Sequence, residues 1–227
     1  MSDPSAIFKL AQRFRTWWGL KAVGTTVFMW GFFALYFHLL GNPRVAVTEM
    51  PLLPWDGLLP FHPLAWVFYL SLWVYTSLPA AFQPSFRHLV FYGVAILVVC
   101  IPGLVVFYWW PTMVPSAYAL AADHPWNLLA GVDAAGNAFP SLHVACSAFS
   151  AAWLDVQIRD VGLSRRWRWI NALWCVAIVL STLSTRQHVM LDMIGGTALG
   201  VAAAWFTLSL YARFSQRFPA PASARQT

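Results

Sequence analysis

Two histidines and one aspartate stand apart from the rest of the chain by what surrounds them. His143 closes the run Asn137-Ala138-Phe139-Pro140-Ser141-Leu142-His143, and His188 closes Ser181-Thr182-Leu183-Ser184-Thr185-Arg186-Gln187-His188. Asp192 follows His188 by four residues, one helical turn, so both can project from one helix face. A carboxylate beside a ring nitrogen fixes the tautomer and orientation of the imidazole and stabilises positive charge on it, as in catalytic triads. Pro140-Ser141 reads as a helix start, since proline suits a first turn and serine a cap. The N–H groups around Ser141, Leu142 and His143 then point out of a helix N-terminus, which favours an anion such as phosphate. Arg186, two residues before His188, adds a donor for charge-assisted bonds to that anion.

Two histidines and an aspartate could also begin a metal site. The set lacks a Glu-His motif or a cysteine pair, and Asp192 is better placed to orient His188, so no metal is assigned. The other histidines need no functional reading. His38 lies in an apolar stretch, His62 and His88 flank such stretches, and His124 precedes a proline in a long connector. Cys100, Cys146 and Cys175 fall inside apolar runs and read as reduced core residues.

The elements that must position these residues are membrane helices. The chain of 227 residues is 59% hydrophobic and 10% charged, where a soluble domain carries roughly a quarter charged residues. Its apolar stretches, at about 20 residues each, are long enough to cross a hydrocarbon layer. Hydropathy predicts an all-α, integral membrane bundle of six transmembrane helices over 22–41, 63–83, 89–110, 141–158, 169–184 and 190–211. The fifth is short and borrows residues from its flanks. Before them, Ile7, Leu10, Ala11, Phe14, Trp17 and Trp18 form one stripe, with Lys9, Gln12, Arg13 and Thr16 largely opposite. That pattern predicts an N-terminal interfacial amphipathic helix with a basic face toward anionic head groups. The organisation is thus an interfacial segment over 1–21, a catalytic membrane domain over 22–211 and a tail over 212–227. Gly196, Gly200, Ala203 and Ala204 give the last span a small-residue face for close helix packing.

The net charge of +6 is not arranged for nucleic acid, because the basic residues sit in short connectors. Lys9, Arg13, Arg15 and Lys21 precede the first span, and they also argue against a cleavable signal peptide. Arg87 follows the second span, Arg159, Arg165, Arg166 and Arg168 surround the turn after the fourth, and Arg213, Arg217 and Arg225 end the chain. The alternate connectors hold only Arg44 and Arg186, with Glu49, Asp56, Asp123 and Asp133. The positive-inside rule therefore places both termini in the cytoplasm. His143 and His188 then fall together at the outer face, although only Lys and Arg were used to orient the chain. The long connector over 111–140 reads as a short interfacial helix or a lid over that face.

These residues resemble the type 2 phosphatidic acid phosphatase superfamily, with the closest likeness to its inositol phosphorylceramide synthase and sphingomyelin synthase branch. Members carry Pro-Ser-x-His and then Ser-(Arg or Thr)-x5-His-x3-Asp on a six-helix bundle. Here the motifs read Pro140-Ser141-Leu142-His143 and Ser181-Thr182, then His188 and Asp192. The resemblance implies that His188 is a nucleophile that becomes phosphohistidine, and that Asp192 orients it. His143 would protonate the leaving oxygen and then activate water or an alcohol. Histidine suits both tasks because it titrates near neutrality. No cofactor is implied. The phosphatase branch's Lys-x6-Arg-Pro motif has no counterpart; Pro111-Thr112-Met113-Val114-Pro115 lies in a plausible place without the arginine, and Thr182 stands where Arg is usual. The phosphate grip then falls to Arg186, Ser141 and Leu142.

The function expected is hydrolysis of a lipid phosphate or diphosphate drawn from among membrane lipids. Transfer of a phospho-head group to a lipid alcohol stands close behind. A proton-coupled transporter would use the same His/Asp cluster as a relay, but it needs a polar path through the membrane, whereas these residues gather at one face. A catalytically silent scaffold would have no use for buried ionisable residues, which are costly to keep.

Overall fold

The structure, a computed structural model, describes residues 4–121, 123–129 and 136–220. Asp133 and Arg225, two of the charges that orient the chain, lie outside the described residues. The elements run α1 (Pro4–Arg15), α2 (Trp18–Gly41), β1 (Thr48–Glu49), α3 (Ala65–Ala81), α4 (Phe86–Trp109), β2 (Thr112–Met113), α5 (Leu142–Val161), α6 (Arg165–Ser184) and α7 (Met190–Arg217). Every predicted span is a helix. The fifth gains its length at its start, from Arg165, and the last runs on into the segment read as a tail.

Among the described residues, length and composition qualify four helices to cross a membrane, α2, α4, α6 and α7, rather than six. α3 has 17 residues. α5 is long enough but polar, with Ser147, Ser150, Asp155, Gln157 and Asp160 along it. The reason lies in its position. α5 is the central helix and packs against α3, α4, α6 and α7, so its surface meets protein and it need not be apolar all round. Ala145, Phe149 and Trp153 on α5 are fully buried in one cluster with Val99 and Phe107 of α4.

The small-residue face of α7 meets α5 as expected. A methyl group on Gly196 would overlap the Ser141 carbonyl oxygen, and one on Gly200 the Ala145 carbonyl oxygen. Ala203 and Ala204 continue the contact, both buried. Only hydrogen at these positions lets the two helix backbones approach so closely. The approach sets the spacing between the start of α5, with His143, and the start of α7, with Asp192.

At that same end the three connectors leaving α2, α4 and α6 meet one another. β1 and β2 pair in parallel, Thr48 with Thr112 and Glu49 with Met113, and Met113 bridges to Gly136. The His62 N–H donates to the Ser184 carbonyl at 3.2 Å. The described part of 111–140 holds a strand and turns and no helix, so the expected short interfacial helix is not found there.

The opposite end is tied by charge. Arg13 pairs with Asp160 at the end of α5 and is buried, so the expected basic face of α1 turns one of its members into protein. Ala6, with Val161 and Leu163, forms a small core under α1, while Ile7, Phe8 and Phe14 are exposed. Lys21, the one buried residue of α2, donates to the carbonyls of Arg13, Ala81 and Gln83 at 2.6, 2.8 and 2.8 Å. A lysine so placed keeps its charge solvated by backbone dipoles.

Candidate active site

Ser141 caps α5, its hydroxyl accepting the Val144 N–H at 3.3 Å, and the first helical residue is Leu142. Pro140 therefore precedes the cap instead of occupying the first turn. The Ser141 N–H does not point outward as expected, since it donates to the Asp192 carbonyl at 3.1 Å. That bond clasps the start of α5 to the first turn of α7. Ser141 is fully buried and both its polar groups are engaged within the protein, while the Leu142 side chain packs on Gly103. A first helical turn leaves its N–H groups without partners in the helix, and those of Leu142 and His143 stand in that position at the start of α5.

His143 stacks on Tyr69 with ring centroids 3.9 Å apart and meets the edge of Trp73 at 5.7 Å. Its Nε2 lies 2.9 Å from the Tyr69 carbonyl oxygen. A carbonyl only accepts, so Nε2 carries the hydrogen and Nδ1 is the nitrogen free to exchange a proton. The ring is thus held on two faces with one nitrogen committed.

The loop between α6 and α7 places His188. The Thr182 carbonyl accepts both the Gln187 and His188 N–H groups, at 3.1 and 3.2 Å, and the Thr185 hydroxyl donates to the Ser181 carbonyl at 2.8 Å. Ser181 and Thr182 turn their own hydroxyls back to Ile178 and Val179 carbonyls, so they shape the loop. Arg186 takes a left-handed backbone with φ 60°, a conformation costing a non-glycine residue on the order of 1–2 kcal/mol.

Asp192, with no exposed surface, sits in the first turn of α7. Its Oδ2 accepts the Val189 N–H at 2.9 Å and stands 3.4 Å from His188 Nδ1. That pair is close but off line for a hydrogen bond, because His188 Nδ1 and Asp192 Oδ1 are both buried without a partner. Such bonds are commonly long in unliganded sites and tighten when charge develops. With Nδ1 facing the carboxylate, Nε2 is the nitrogen of His188 available for reaction.

Sequence reasoning passed over three residues of this region. Asp56, buried in the first long connector, accepts the Met190 N–H through Oδ1 and the Leu53 N–H through Oδ2, each at 2.6 Å. The Asp56 backbone carbonyl takes Arg186 Nη1 at 3.4 Å and the Tyr118 hydroxyl at 3.2 Å. Arg186 lies over the Tyr118 ring, 4.2 Å from its centroid, and burial raises the Tyr118 phenol above its ordinary pKa, which keeps it a donor. Arg186 is therefore half-buried and held beside the site by two connectors. Asn137 is the third; its side chain donates to the Tyr36 carbonyl at 3.3 Å. Nothing in the sequence distinguished Asp56 from the other outer acids. Arg44, by contrast, stacks over Trp109 at 4.5 Å.

His143, His188 and Asn137 line one end of a cleft of about 680 Å³ whose walls are otherwise largely apolar. Among the described residues, no three His, Cys, Asp or Glu side chains converge as metal ligands would. The arrangement presents two imidazoles, one beside a carboxylate and one hydrogen-bonded to a backbone carbonyl, at the head of an apolar cleft. No curated protein and no solved structure matches the chain. The PAP2 superfamily model matches residues 60–206, more than half of the sequence and all of the His/His/Asp constellation, and the chain belongs to the PAP2 superfamily.

Proposed function

We propose that this member of a phosphatase and phosphotransferase superfamily is a lipid-phosphate phosphatase working through a phosphohistidine. His188 Nε2 attacks phosphorus as the lipid oxygen–phosphorus bond breaks, and the leaving oxygen takes the Nδ1 proton of His143, which enters the step as the doubly protonated imidazolium beside the anionic phosphate. His143 then takes a proton from water as that water attacks phosphohistidine, releasing inorganic phosphate and restoring both rings. Asp192 stabilises the positive charge on His188 during the transfer. Arg186 and the first-turn N–H groups of Leu142 and His143 counter the charge on the phosphoryl oxygens.

The observation that carries this reading is the cleft, with both imidazoles at its head and apolar walls beyond. A water-soluble phosphate would have no use for those walls. All six long helices cross the bilayer in this reading, because α3 and α5 lie alongside the apolar helices between the same two ends. The distribution of Lys and Arg then puts both termini in the cytoplasm and the site at the outer face.

The missing Lys-x6-Arg-Pro motif favours a second reading, transfer of a phospho-head group to a lipid alcohol as in the inositol phosphorylceramide synthase branch. One assay separates the two. Purified protein is given a lipid phosphate, a phospholipid donor, and each with a ceramide or diacylglycerol acceptor, and phosphate and lipid products are both measured. Acceptor-independent phosphate release supports hydrolysis, and product formed only with acceptor replaces it with transfer. Turnover of a soluble phosphate ester at the same efficiency contradicts both.

A further inference from the structure

The cleft continues far beyond the two histidines. It runs between α2 on one side and α3, α4 and α5 on the other, from Asn137 and His188 at one end to Lys21 and Phe86 at the other. α2 is fastened at each end, and in between its aromatic side chains reach across, Phe28 and Phe32 packing against the core of α4 and α5 and Phe33 meeting Trp73 of α3 with ring centroids 4.9 Å apart. At the far end Lys21 holds the carbonyls of Arg13, Ala81 and Gln83; at the near end Asn137 holds Tyr36 and Leu40 rests on Gly136. Between those ties, apart from Lys21, no residue of α2 is buried. An elongated, largely apolar cleft along such a helix is shaped for something linear.

We infer that the cleft under α2 holds a single hydrocarbon chain of the substrate, and that the absence of side chains at Gly24 and Gly93 keeps it open to long chains. The inference rests on the proposed reaction at the histidines. The volume, about 680 Å³, suits one ligand of moderate size rather than a two-chain lipid in full. Gly24 and Gly93 both line the cleft, and a methyl group added at either meets nothing. Along α2 the 12 residues from Tyr36 to Gly24 span about 18 Å, and along α4 the 14 from Phe107 to Gly93 span about 21 Å. An extended chain advances about 1.25 Å per carbon from its ~1.5 Å bonds, so roughly 14–17 carbons reach the glycines. Longer chains go on toward Lys21. The chain leaves lipid and not water, so the cleft gains little per methylene. Length selection is therefore steric.

Gly93→Phe and Gly24→Phe place a ring in the path of a long chain without touching the histidines. Overpacking costs about 1–3 kcal/mol, which is about 5- to 150-fold in rate. We expect kcat/KM for 18-carbon lipid phosphates to fall by that factor relative to wild type, with 10-carbon substrates unchanged within about twofold. Gly93→Leu and Gly24→Leu give the same pattern more weakly and serve if the phenylalanine variants fold poorly. Binding is read separately, from the rise in melting temperature with non-hydrolysable lipid phosphonates of 8 to 18 carbons. Long phosphonates should stabilise wild type more than they stabilise Gly93→Phe, and short ones should stabilise both equally. Retention of that binding pattern in a protein that hydrolyses no lipid phosphate would keep the chain site and discard the proposed reaction. Identical length profiles for wild type and all four variants, in rate or in binding, would overturn the inference while leaving the reaction standing.

Discussion

Asp56→Asn tests how the first connector holds the site. The carboxylate of Asp56 accepts two backbone N–H groups at 2.6 Å each, one from Leu53 and one from Met190, the first residue of α7. Hydrogen bonds to a charged group contribute about 1.5–3 kcal/mol each, and a buried N–H left without a partner costs about 1–3 kcal/mol. Asparagine keeps one acceptor and turns an amide N–H toward the other donor. The substitution should therefore cost about 2–4 kcal/mol in stability. At about 2–4 °C per kcal/mol for a chain of this size, the melting temperature in detergent should fall by several degrees. The effect on rate should be larger in proportion, because Met190 begins the helix that carries Asp192 and lies two residues after His188. Misplacing a reacting group by about 1 Å costs on the order of 10²-fold, so kcat should drop by about that factor with KM little changed. Thermal unfolding and steady-state kinetics on one lipid phosphate read both effects. A melting temperature within about 1 °C of wild type, with unchanged kcat, would refute the role given to this connector.

Gly200→Ala should destabilise by about 1–3 kcal/mol or more, since its methyl group meets the Ala145 backbone, and thermal unfolding will show it. Arg186→Ala should lose on the order of 10²–10³ in kcat, the scale for one preorganised donor, and Arg186→Lys should be damaging too, while Arg44→Ala does much less. Lys21→Met strands three carbonyls and should lower the melting temperature by several degrees without changing chemistry in the protein that remains folded. A cysteine at Ser164 should label only from the cytoplasm and one at Ser116 only from outside, tested with an impermeant maleimide on sealed vesicles.

The helices were legible in the sequence because apolar length is a direct consequence of the bilayer, and all six predicted segments are helical. The count of spans fared less well: six were expected, and among the described residues only α2, α4, α6 and α7 have the length and composition to cross a membrane. Hydropathy reads a helix as though all its faces met lipid, and α5 meets protein on most of them. His188 and Asp192 do come together, 3.4 Å apart, but not as one turn of a shared helix face, because α7 begins at Met190 and leaves His188 in the loop before it. The Ser141 N–H was misread, because the approach of α7 through Gly196 is a tertiary event that brings the Asp192 carbonyl within reach. Arg13 was misread likewise, since its partner Asp160 lies far along the chain. Asp56 gave no local signal at all. Its role depends on where the N-terminus of α7 falls, and a connector rich in proline does not announce that.

The most direct test of the central claim is capture of the phosphoryl group on the protein. Wild type and His143→Ala are mixed with a lipid phosphate bearing an activated leaving group, quenched within a turnover, and digested for peptide mapping. The account predicts an acid-labile, base-stable phosphoryl group on His188, more abundant in His143→Ala because release to water is slowed, and absent from His188→Ala. Phosphorylation at another residue, or turnover by His188→Ala near the wild-type rate, would contradict it.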